Sequence, residues 1–268
     1  MASLTTPAVL LRTINYGESD RVVTLFGRDT GRVSALARGA RKSQRRFAGG
    51  LGLCAVGEAA LRERAGAELL TLETFDVRAA YPSFGADIGR MAHAAYVAEL
   101  VSKLCAPRQV EPNVYDWLVE MLAALDANGA SAERLRVFEL GLLGRLGFRP
   151  VVETCAACHG ARLVAPVGET VFRWDPDRGG AICPACGARG RPIRGVVRTA
   201  LARLAAAALA DAGGEALDAD VNRGCREAIF EVIKLHITGP MQSLDFMAKL
   251  AKTTKTRAAK LSEDGGEP

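Results

Sequence analysis

Four of the seven cysteines form two pairs, and each pair is spaced by two residues. The pairs are Cys155 with Cys158 and Cys183 with Cys186, separated by 24 residues. A Cys-x-x-Cys turn aims two sulfurs at one ion, and structural zinc takes four such ligands in a tetrahedron. Gly160 and Gly187 follow the pairs and suit left-handed turns. Because cysteine fills all four positions, the motif predicts a structural Zn²⁺ with no open position for a catalytic water.

Three other interpretations of these cysteines remain. Cys155, Cys158 and His159 match the haem-attachment pattern C-x-x-C-H, which would need export and a second axial ligand. A thioredoxin-like redox pair would need a βαβ pattern around it, which the neighbouring sequence lacks. Four thiols without a metal are the third interpretation. The remaining cysteines lie in apolar stretches and are expected to be buried small side chains: Cys54, Cys105 and Cys225.

Positive charge is concentrated in one stretch near the N-terminus. No acidic residue occurs between Thr30 and Gly57. The cations within that stretch are Arg32, Arg38, Arg41, Lys42, Arg45 and Arg46. Glycine and serine among them predict a loop, and a basic loop between two strands is expected to bind nucleic-acid phosphates. The alternative is a solvated loop. Phe47 either stacks on a base or anchors the next strand in the core, and we favour the core.

A second basic run lies near the C-terminus. It comprises Lys249, Lys252 and Lys255, followed by Arg257 and Lys260, with no acidic residue before Glu263. The run either follows one helix face or forms a disordered arm, and both arrangements would add phosphate affinity. The alternative is a simple polar tail. We therefore add the first three lysines to the candidate DNA-binding residues.

Five short segments rich in Val, Leu and Thr precede residue 80. They cover residues 8–14, 21–26, 33–37, 53–61 and 69–77, and turn residues separate them. Strands at this spacing predict a small five-stranded barrel of the oligonucleotide-binding (OB) class. The alternative is a mixed α+β domain in which residues 55–64 are helical.

Beyond Pro82 the apolar residues recur with helical spacing. Helices are predicted over 83–105, 114–125, from the N-cap Ser131 to Gly147, 195–211 and about 220–237. The cysteine-rich insert is expected to contain strands at 171–174 and 180–182, and it interrupts the helical region. The predicted fold is α+β and multidomain. Its parts are a barrel (1–80), a helical domain (81–150 and 193–248), a zinc module (151–192) and a basic, flexible tail (249–268).

Composition and motifs exclude several classes of protein. The chain has 268 residues, 49% hydrophobic and 24% charged, with a net charge of +5, which is ordinary for a globular protein. No apolar stretch approaches the roughly 20 residues of a membrane span, and the N-terminus lacks a signal's basic region. We expect a cytoplasmic protein. P-loop, nucleophile-elbow and HExxH motifs are absent, which favours a protein that is not an enzyme. The alternatives are a nucleic-acid-modifying enzyme, or a transcription or translation factor, with an accessory zinc ribbon.

Five segments occur in a characteristic order: VLLRT with YGESD (9–20), GRV with ARGARK (31–42), FELGLL with LGF (138–148), GG with the second cysteine pair (179–186), and LDF (244–246). Together they resemble the RecO family of bacterial recombination mediators and DNA repair proteins. The resemblance covers about residues 7–250. It implies a non-enzymatic DNA-binding protein built from an OB barrel, a helical domain and a zinc module.

The resemblance also implies partners. Family members bind single- and double-stranded DNA, anneal complementary strands, bind RecR, and help load RecA onto DNA coated by single-stranded-DNA-binding protein. They also bind the acidic, aromatic-ended C-terminal tail of that coating protein in a groove of the helical domain. By position, Arg136 is the candidate residue for the tail. Val137, Gly141 and Gly144 depart from the family pattern and are expected to soften the helix that lines the groove.

Overall fold

The structure is a computed structural model that describes residues 3–43, 45–47, 50–63, 69–159, 171–187, 189–214 and 216–264, with side chains to residue 253. The chain forms two compact units. The first contains Met1–Val110 and Gly239–Pro268, and the second contains Glu111–Thr238. None of the described helices combines the length and the apolar character that crossing a bilayer requires.

The first unit begins with a closed five-stranded barrel. Its strands are β1 (Ser3–Tyr16), β2 (Asp20–Gly27), β3 (Gly31–Ala37), β4 (Val56–Arg62) and β5 (Leu70–Ala79). They pair in the order β1-β2-β3-β5-β4, β4 pairs back onto β1, and only the β3–β5 contact is parallel. The OB-type barrel is therefore confirmed. The alternative of a helix over residues 55–64 is wrong, because this segment pairs as β4.

Alternating burial along the strands builds the barrel core. In β3, Val33, Ala35 and Ala37 are buried, whereas the residues between them are half-buried and face outward. Phe47 is only 3% exposed and packs into the same core. Its predicted role as a core anchor is confirmed, and stacking on a base is wrong because the ring does not reach solvent. Gly31 has φ +65°, and a Cβ there would lie 1.9 Å from the Gln109 carbonyl oxygen.

Seven helices occur among the described residues. They are α1 (Ser83–Ala86), α2 (Ile88–Leu104), α3 (Pro112–Asn128), α4 (Ala132–Arg145), α5 (Gly195–Ala206), α6 (Ala219–His236) and α7 (Gln242–Asp264). The predicted single helix over 83–105 is divided at Asp87, whose carboxylate accepts hydrogen bonds from the amides of Gly89 and Arg90 and so starts α2. The segment 249–264, expected as a flexible tail, continues α7.

Helix α7 closes the first unit by packing on α2. The Glu99 carboxylate of α2 accepts hydrogen bonds from the amides of Gln242 at 3.0 Å and Ser243 at 2.8 Å. A carboxylate at a helix N-terminus satisfies unpaired amides and complements the helix dipole. The N-terminus of α7 is therefore held by a residue 143 positions earlier in the chain.

The second unit combines helices α3 to α6 with a three-stranded sheet of order β7-β6-β8. The strands are β6 (Val171–Asp175), β7 (Gly180–Ile182) and β8 (Arg191–Arg194). The first two were predicted, and β8 was not. Gly180 has φ +143°, and a Cβ there would lie 2.2 Å from the Val151 carbonyl oxygen, so only glycine fits.

Helices α3 and α4 pack closely through an aromatic pair. The rings of Trp117 and Phe138 are stacked, with centroids 6.4 Å apart, and the Trp117 indole donates a hydrogen bond to the Phe138 carbonyl oxygen. A Cβ at Gly141 would lie 2.5 Å from the Trp117 ring. Because Gly141 has no side chain, the Trp117 indole can pack directly on the backbone of α4. Helix α4 is continuous, and its N-cap is Ser131 as predicted. That the glycines of α4 soften this helix stays a prediction.

Candidate metal centre and nucleic-acid interface

The four paired cysteines converge on one point in the second unit. The Sγ atoms of Cys155, Cys158, Cys183 and Cys186 all lie within 4.8 Å of one another. With Zn–S bonds of about 2.3 Å, a tetrahedral site requires Sγ–Sγ distances of about 3.8 Å. The sulfurs therefore need to move by less than a bond length to bind one ion, and the cluster can hold a metal.

Backbone hydrogen bonds position the two cysteine turns. The amide of Ala156 donates to the Ala181 carbonyl oxygen at 2.9 Å, which ties the first turn to β7. The amide of Cys183 donates to the Cys155 sulfur at 3.3 Å, so the second turn supports a ligand of the first. The left-handed residue of the first turn is His159 at φ +55°. Gly160 lies outside the described residues, and Gly187 has no positive φ, which corrects that expectation.

The thiols have strongly different acidities. Burial raises the pKa of Cys155, but hydrogen bonds from the backbone amides of Cys183, Cys158 and Ala157 outweigh it and lower this pKa to about 6. Hydrogen bonding to the sulfurs of Cys183 and Cys158 raises the pKa of Cys186 to about 12. Four sulfurs at this separation cannot all ionise without a cation, so the donor set fits a soft divalent metal ion.

Three polar contacts hold the basic loop, residues 38–46, against the β1–β2 turn. The Asp20 carboxylate accepts a hydrogen bond from the Gly39 amide at 2.8 Å. The amide of Arg41 donates to the Ser19 carbonyl oxygen, and its guanidinium donates to the Glu18 carbonyl oxygen, both at 3.0 Å. The loop therefore has a defined position beside the ends of β1 and β2.

Five of the six predicted cations of this stretch are exposed, and one is not. The exposed side chains are those of Arg38, Arg41, Lys42, Arg45 and Arg46. Arg32 is half-buried, and its guanidinium donates a 3.0 Å hydrogen bond to the Cys105 carbonyl oxygen. It lies at the opposite end of β3 from Arg38, about 20 Å away at strand rise. Arg32 therefore fastens the barrel to the end of α2 and is separate from the loop.

A cleft of about 320 Å³ lies beside the basic loop. It is lined by Arg38, Arg46, Arg62, Thr71, Glu73 and Thr74. The Arg46 guanidinium donates to the Arg38 carbonyl oxygen at 2.6 Å, and Arg62 pairs at 2.9 Å with Glu73, the one carboxylate among the described lining residues. The described lining thus sets three guanidiniums and two hydroxyls against one carboxylate, a composition suited to a phosphate group.

Sequence reasoning missed Arg62, because this residue lies outside the acid-free stretch and no local pattern marks it. It reaches the cleft through strand pairing, in which Arg62 of β4 lies opposite Thr71 of β5. Only the order and register of the barrel strands bring it to Arg38.

A second cleft, about 510 Å³, lies in the second unit and has balanced charge. Its lining includes three arginines and three carboxylates: Arg178, Arg189, Arg191, Asp175, Asp177 and Glu231. Two of these arginines are already paired, Arg178 with Asp175 at 3.7 Å and Arg191 with Glu231 at 2.6 Å. Size alone therefore does not make it the better phosphate site.

The remaining predicted residues belong to helices α7 and α4. Lys249 and Lys252 are exposed on α7, and the Lys255 side chain lies outside the described residues. Arg136 is only 5% exposed, and its guanidinium lies 3.0 Å from the carboxylate of Glu139, which is 1% exposed. Binding of an acidic tail by Arg136 stays a prediction, and it would require this buried pair to open.

The strand order and the cysteine cluster define an α+β protein in which an OB-type barrel precedes helices that carry a four-cysteine centre. The family model described as "Recombination protein O N terminal" matches residues 1–81, and "Recombination protein O C terminal" matches residues 85–245. The chain belongs to the RecO family of DNA repair proteins, and the resemblance is confirmed.

Curated relatives cover nearly the whole chain. The chain is 40% identical over 245 residues to "DNA repair protein RecO" of Anaeromyxobacter dehalogenans (strain 2CP-C), which covers 90% of this chain and 94% of that one. It is 33% identical over 243 residues to the protein of the same name from Myxococcus xanthus (91% and 96% covered). For Syntrophotalea carbinolica the identity is 30% over 261 residues (97% and 99% covered).

Proposed function

We propose that this RecO family DNA repair protein binds single- and double-stranded DNA through the basic loop and the cleft beside it. The observation that carries the proposal is the convergence of Arg38, Arg46 and Arg62 on a cleft whose described lining contains one carboxylate. Guanidiniums donate bidentate hydrogen bonds to phosphate oxygens, and each such contact releases counterions from the DNA. Lys249 and Lys252, exposed on the same unit, add non-specific affinity.

DNA binding of this kind supports strand annealing without catalysis. Two complementary strands repel each other because each is a polyanion, and a cationic protein surface lowers that repulsion. We propose that the protein anneals complementary strands and, with RecR, helps load RecA onto DNA coated by single-stranded-DNA-binding protein. Its further partner is the acidic tail of that coating protein. Such a role places it in the cytoplasm, at the nucleoid.

We propose that the four-cysteine centre holds Zn²⁺. The donor set supports zinc, because four thiolates in a small tetrahedral cluster suit a soft divalent ion. When bound, the ion supplies a structural cross-link between the turn after α4 and the end of β7. The cysteines occupy every tetrahedral position, so the centre stabilises the fold and takes no part in a reaction.

The first experiment measures how DNA affinity depends on salt. The loop variant replaces Arg41, Lys42, Arg45 and Arg46 with alanine. On single strands each lost phosphate contact lowers the slope of log K against log salt by about 0.7, so the slope should fall by up to about 3. Affinity should fall similarly for every sequence, because phosphates carry no base information.

A matched control also removes four positive charges, but it does so by replacing exposed arginines that already pair with carboxylates. Its alanine replacements are Arg78, Arg108, Arg178 and Arg223. This control should keep the wild-type slope. An unchanged slope in a folded loop variant would remove the loop from the interface.

The second experiment follows annealing of complementary strands coated by the cognate single-stranded-DNA-binding protein, with and without RecR. The protein should accelerate annealing, and the loop variant should do so less. A folded wild-type protein that neither binds DNA at low salt nor accelerates annealing would overturn the proposed function.

A further inference from the structure

The four-cysteine cluster has an enclosed side and an accessible side. Cys155 and Cys183, the first cysteine of each turn, are buried, with exposed fractions of 0% and 9%. Cys158 is exposed and Cys186 is half-buried. The residues that lie beside these two in the chain are also exposed: Ala157, His159, Pro184 and Ala185. A small solute can therefore reach Cys158 without opening the cluster.

Cys158 combines this exposure with the chemical state that oxidants attack. Cysteine binds a metal ion as the thiolate, and the thiolate is also the nucleophilic form of the side chain. Susceptibility to oxidation rises with thiolate character and with exposure. The three cysteines outside the cluster lack the exposure, because all of them are buried: Cys54, Cys105 and Cys225. Cys158 is therefore the first sulfur that a hydroperoxide should meet.

Cys186 is the sulfur best placed to react next with Cys158. All four Sγ atoms lie within 4.8 Å of one another, and the sulfurs of Cys186 and Cys158 are in contact. The Cys155 sulfur is held more firmly, because it accepts a hydrogen bond from the Cys183 amide at 3.3 Å. The next amide of that turn, at Ala156, is bonded to β7. The more exposed pair therefore also has the greater freedom to move.

We infer that the cluster is a peroxide-responsive modification site, at which Cys158 and Cys186 form a disulfide and the metal ion is released. The inference rests on the proposed zinc centre and adds a reaction of its ligands. The oxidant is a hydroperoxide, of which hydrogen peroxide is the simplest. The tetrahedral set leaves the ion without an open position, so the reaction occurs at sulfur and not at the metal.

The reaction has two steps that balance in atoms and electrons. In the first, the Cys158 thiolate attacks one oxygen of hydrogen peroxide, so that an S–O bond forms and the O–O bond breaks. In the second, the Cys186 thiolate attacks the Cys158 sulfur, so that the S–S bond forms and the S–O bond breaks. Each step releases hydroxide, which takes up a proton. The two sulfurs lose two electrons, and one hydrogen peroxide becomes two water molecules.

A disulfide between the two turns would change the metal content while keeping the turns connected. Only Cys155 and Cys183 would remain as ligands, and structural zinc takes four, so the ion leaves. The new bond replaces the ion as the cross-link between the turn after α4 and the end of β7. A disulfide within one turn would release the ion without this replacement. Because a thiol reductant reverses the bond, the site can be reloaded.

The test treats reduced, zinc-loaded wild-type protein with hydrogen peroxide at increasing molar ratio. A chromogenic chelator measures the released Zn²⁺, and mass spectrometry after thiol alkylation and tryptic digestion locates the disulfide. The first cysteine pair lies in one tryptic peptide, residues 146–162, and the second pair lies in another, residues 179–189. A disulfide between the turns joins these two peptides, whereas a disulfide within one turn leaves them separate.

One Zn²⁺ should be released for each disulfide formed. Fragmentation of the joined peptides should place the bond at Cys158 and Cys186, with Cys155 and Cys183 still alkylated as thiols. Dithiothreitol followed by Zn²⁺ should restore one zinc per chain. The far-UV circular dichroism of the oxidised protein should match that of the zinc-loaded protein, because the cross-link is replaced.

Two controls accompany the titration. The buried cysteines serve as internal controls and should stay alkylated at the peroxide ratio that releases the ion: Cys54, Cys105 and Cys225. Cys186→Ser removes the second sulfur of the reaction, so dimedone should label the sulfenic acid of Cys158 more strongly in this variant than in wild type. Cys54→Ser, the matched serine replacement outside the cluster, should release zinc as wild type does.

The outcomes separate the inference from the metal centre on which it rests. If wild type holds no zinc and takes up none, the proposed centre itself fails. If zinc-loaded wild type forms its disulfide within one turn, or forms none while Cys158 becomes sulfinic acid, the inference is overturned and the centre stands. Zinc that stays bound until the buried cysteines also react would overturn the inference as well, since it would show that the exposed sulfur is not the first target.

Discussion

The Asp20 carboxylate and the Gly39 amide are joined by a 2.8 Å hydrogen bond across the gap between β2 and the basic loop. Asp20 is thus the one acidic side chain among the three contacts that hold the basic loop to the β1–β2 turn. The hydrogen bond from Gly39, then that from Ser19, and the nearby charge of Arg38 lower the pKa of Asp20, and desolvation only partly offsets them. Asp20 therefore stays ionised through contacts that include two residues of the basic loop, Gly39 and Arg38.

Replacing Asp20 with alanine should release the loop without unfolding the barrel. The Gly39 amide loses its acceptor, so its hydrogen exchange should become faster, and loop positions should become more variable. Asp20→Asn keeps an acceptor oxygen and should retain the protection. Amide exchange measured by NMR checks both variants, and unchanged protection at Gly39 in the alanine variant would contradict the anchor.

The same anchor should depend on pH in a defined direction. Since the folded-state pKa of Asp20 is lowered, its stabilising contribution is present above the unfolded value of about 3.9. That contribution is lost as pH falls through the folded-state pKa. The carboxyl carbon shift of Asp20 should therefore titrate with a midpoint below about 3.9. A midpoint at or above that value would show that the carboxylate makes no such bond.

Cys183→Ser should abolish stoichiometric metal binding. Structural zinc contributes about 10–16 kcal/mol of apparent binding energy, most of it coupled to folding. Residues 151–192 should unfold and the helices around them should loosen, while the barrel survives. Elemental analysis should find one zinc per chain in wild type, and exchange measurements should locate the loss of structure.

The control for the metal is Cys54→Ser. The Cys54 thiol is buried and donates to the Ala94 carbonyl oxygen at 3.5 Å, a contact that a serine hydroxyl can also make. It should keep one zinc per chain. Iron, haem or no metal in freshly purified, reduced wild type would contradict the zinc centre.

Arg136→Ala should destabilise the second unit by about 3–5 kcal/mol, because it leaves the buried Glu139 carboxylate without its arginine partner. Arg223→Ala, which breaks the exposed pair with Asp220, should cost less than about 1 kcal/mol. Urea unfolding curves give both values. If both variants lose the same free energy of unfolding, burial of the Arg136–Glu139 pair has no effect on stability.

Tail binding by Arg136 needs a separate measurement on folded protein. If the arginine pairs with the acidic peptide, Arg136→Ala should weaken peptide binding by about 1.5–3 kcal/mol and leave binding to naked DNA unchanged. Titration calorimetry under conditions in which the variant is folded checks this. Wild-type peptide affinity in that variant would remove Arg136 from the groove.

Gly141→Ala should destabilise the packing of α3 on α4 by about 1–3 kcal/mol, because the new methyl group overlaps the Trp117 ring. Gly144→Ala in the same helix is the matched comparison. A Cβ at Gly144 meets only the flexible Arg149 side chain, at 2.9 Å, and alanine is the better helix former by about 1 kcal/mol. In thermal unfolding, Gly141→Ala should have a lower Tm than wild type. Gly144→Ala should have a Tm equal to or higher than that of wild type.

Local signals predicted most of the architecture. Short segments rich in Val, Leu and Thr, separated by turn residues, predicted the five barrel strands, and a capping serine marked the start of α4 at Ser131. The two Cys-x-x-Cys spacings predicted the four-sulfur cluster, because a turn of this length directs both of its sulfurs toward one point. Strand β8 escaped prediction because Arg191–Arg194 is short, contains proline and has one buried side chain.

The rest depended on contacts distant in sequence. Arg62 reaches Arg38 only through strand order, and no local pattern records that order. The sequence also does not distinguish Arg32, bonded to a backbone carbonyl, from the exposed arginines after it. Arg136 occupies a helix as a surface arginine would, and only packing shows that Glu139 neutralises it inside the unit.

The bond between Glu99 and the start of α7 also dictates an order of events during synthesis. The chain of the first unit leaves at Val110 and returns at Gly239, so the ribosome makes the whole second unit before α7 exists. At about 5–20 residues per second, the surface of α2 that receives α7 stays uncovered for on the order of ten seconds. A nascent chain therefore holds its barrel beside an uncovered α2 until the segment that forms α7 has been translated.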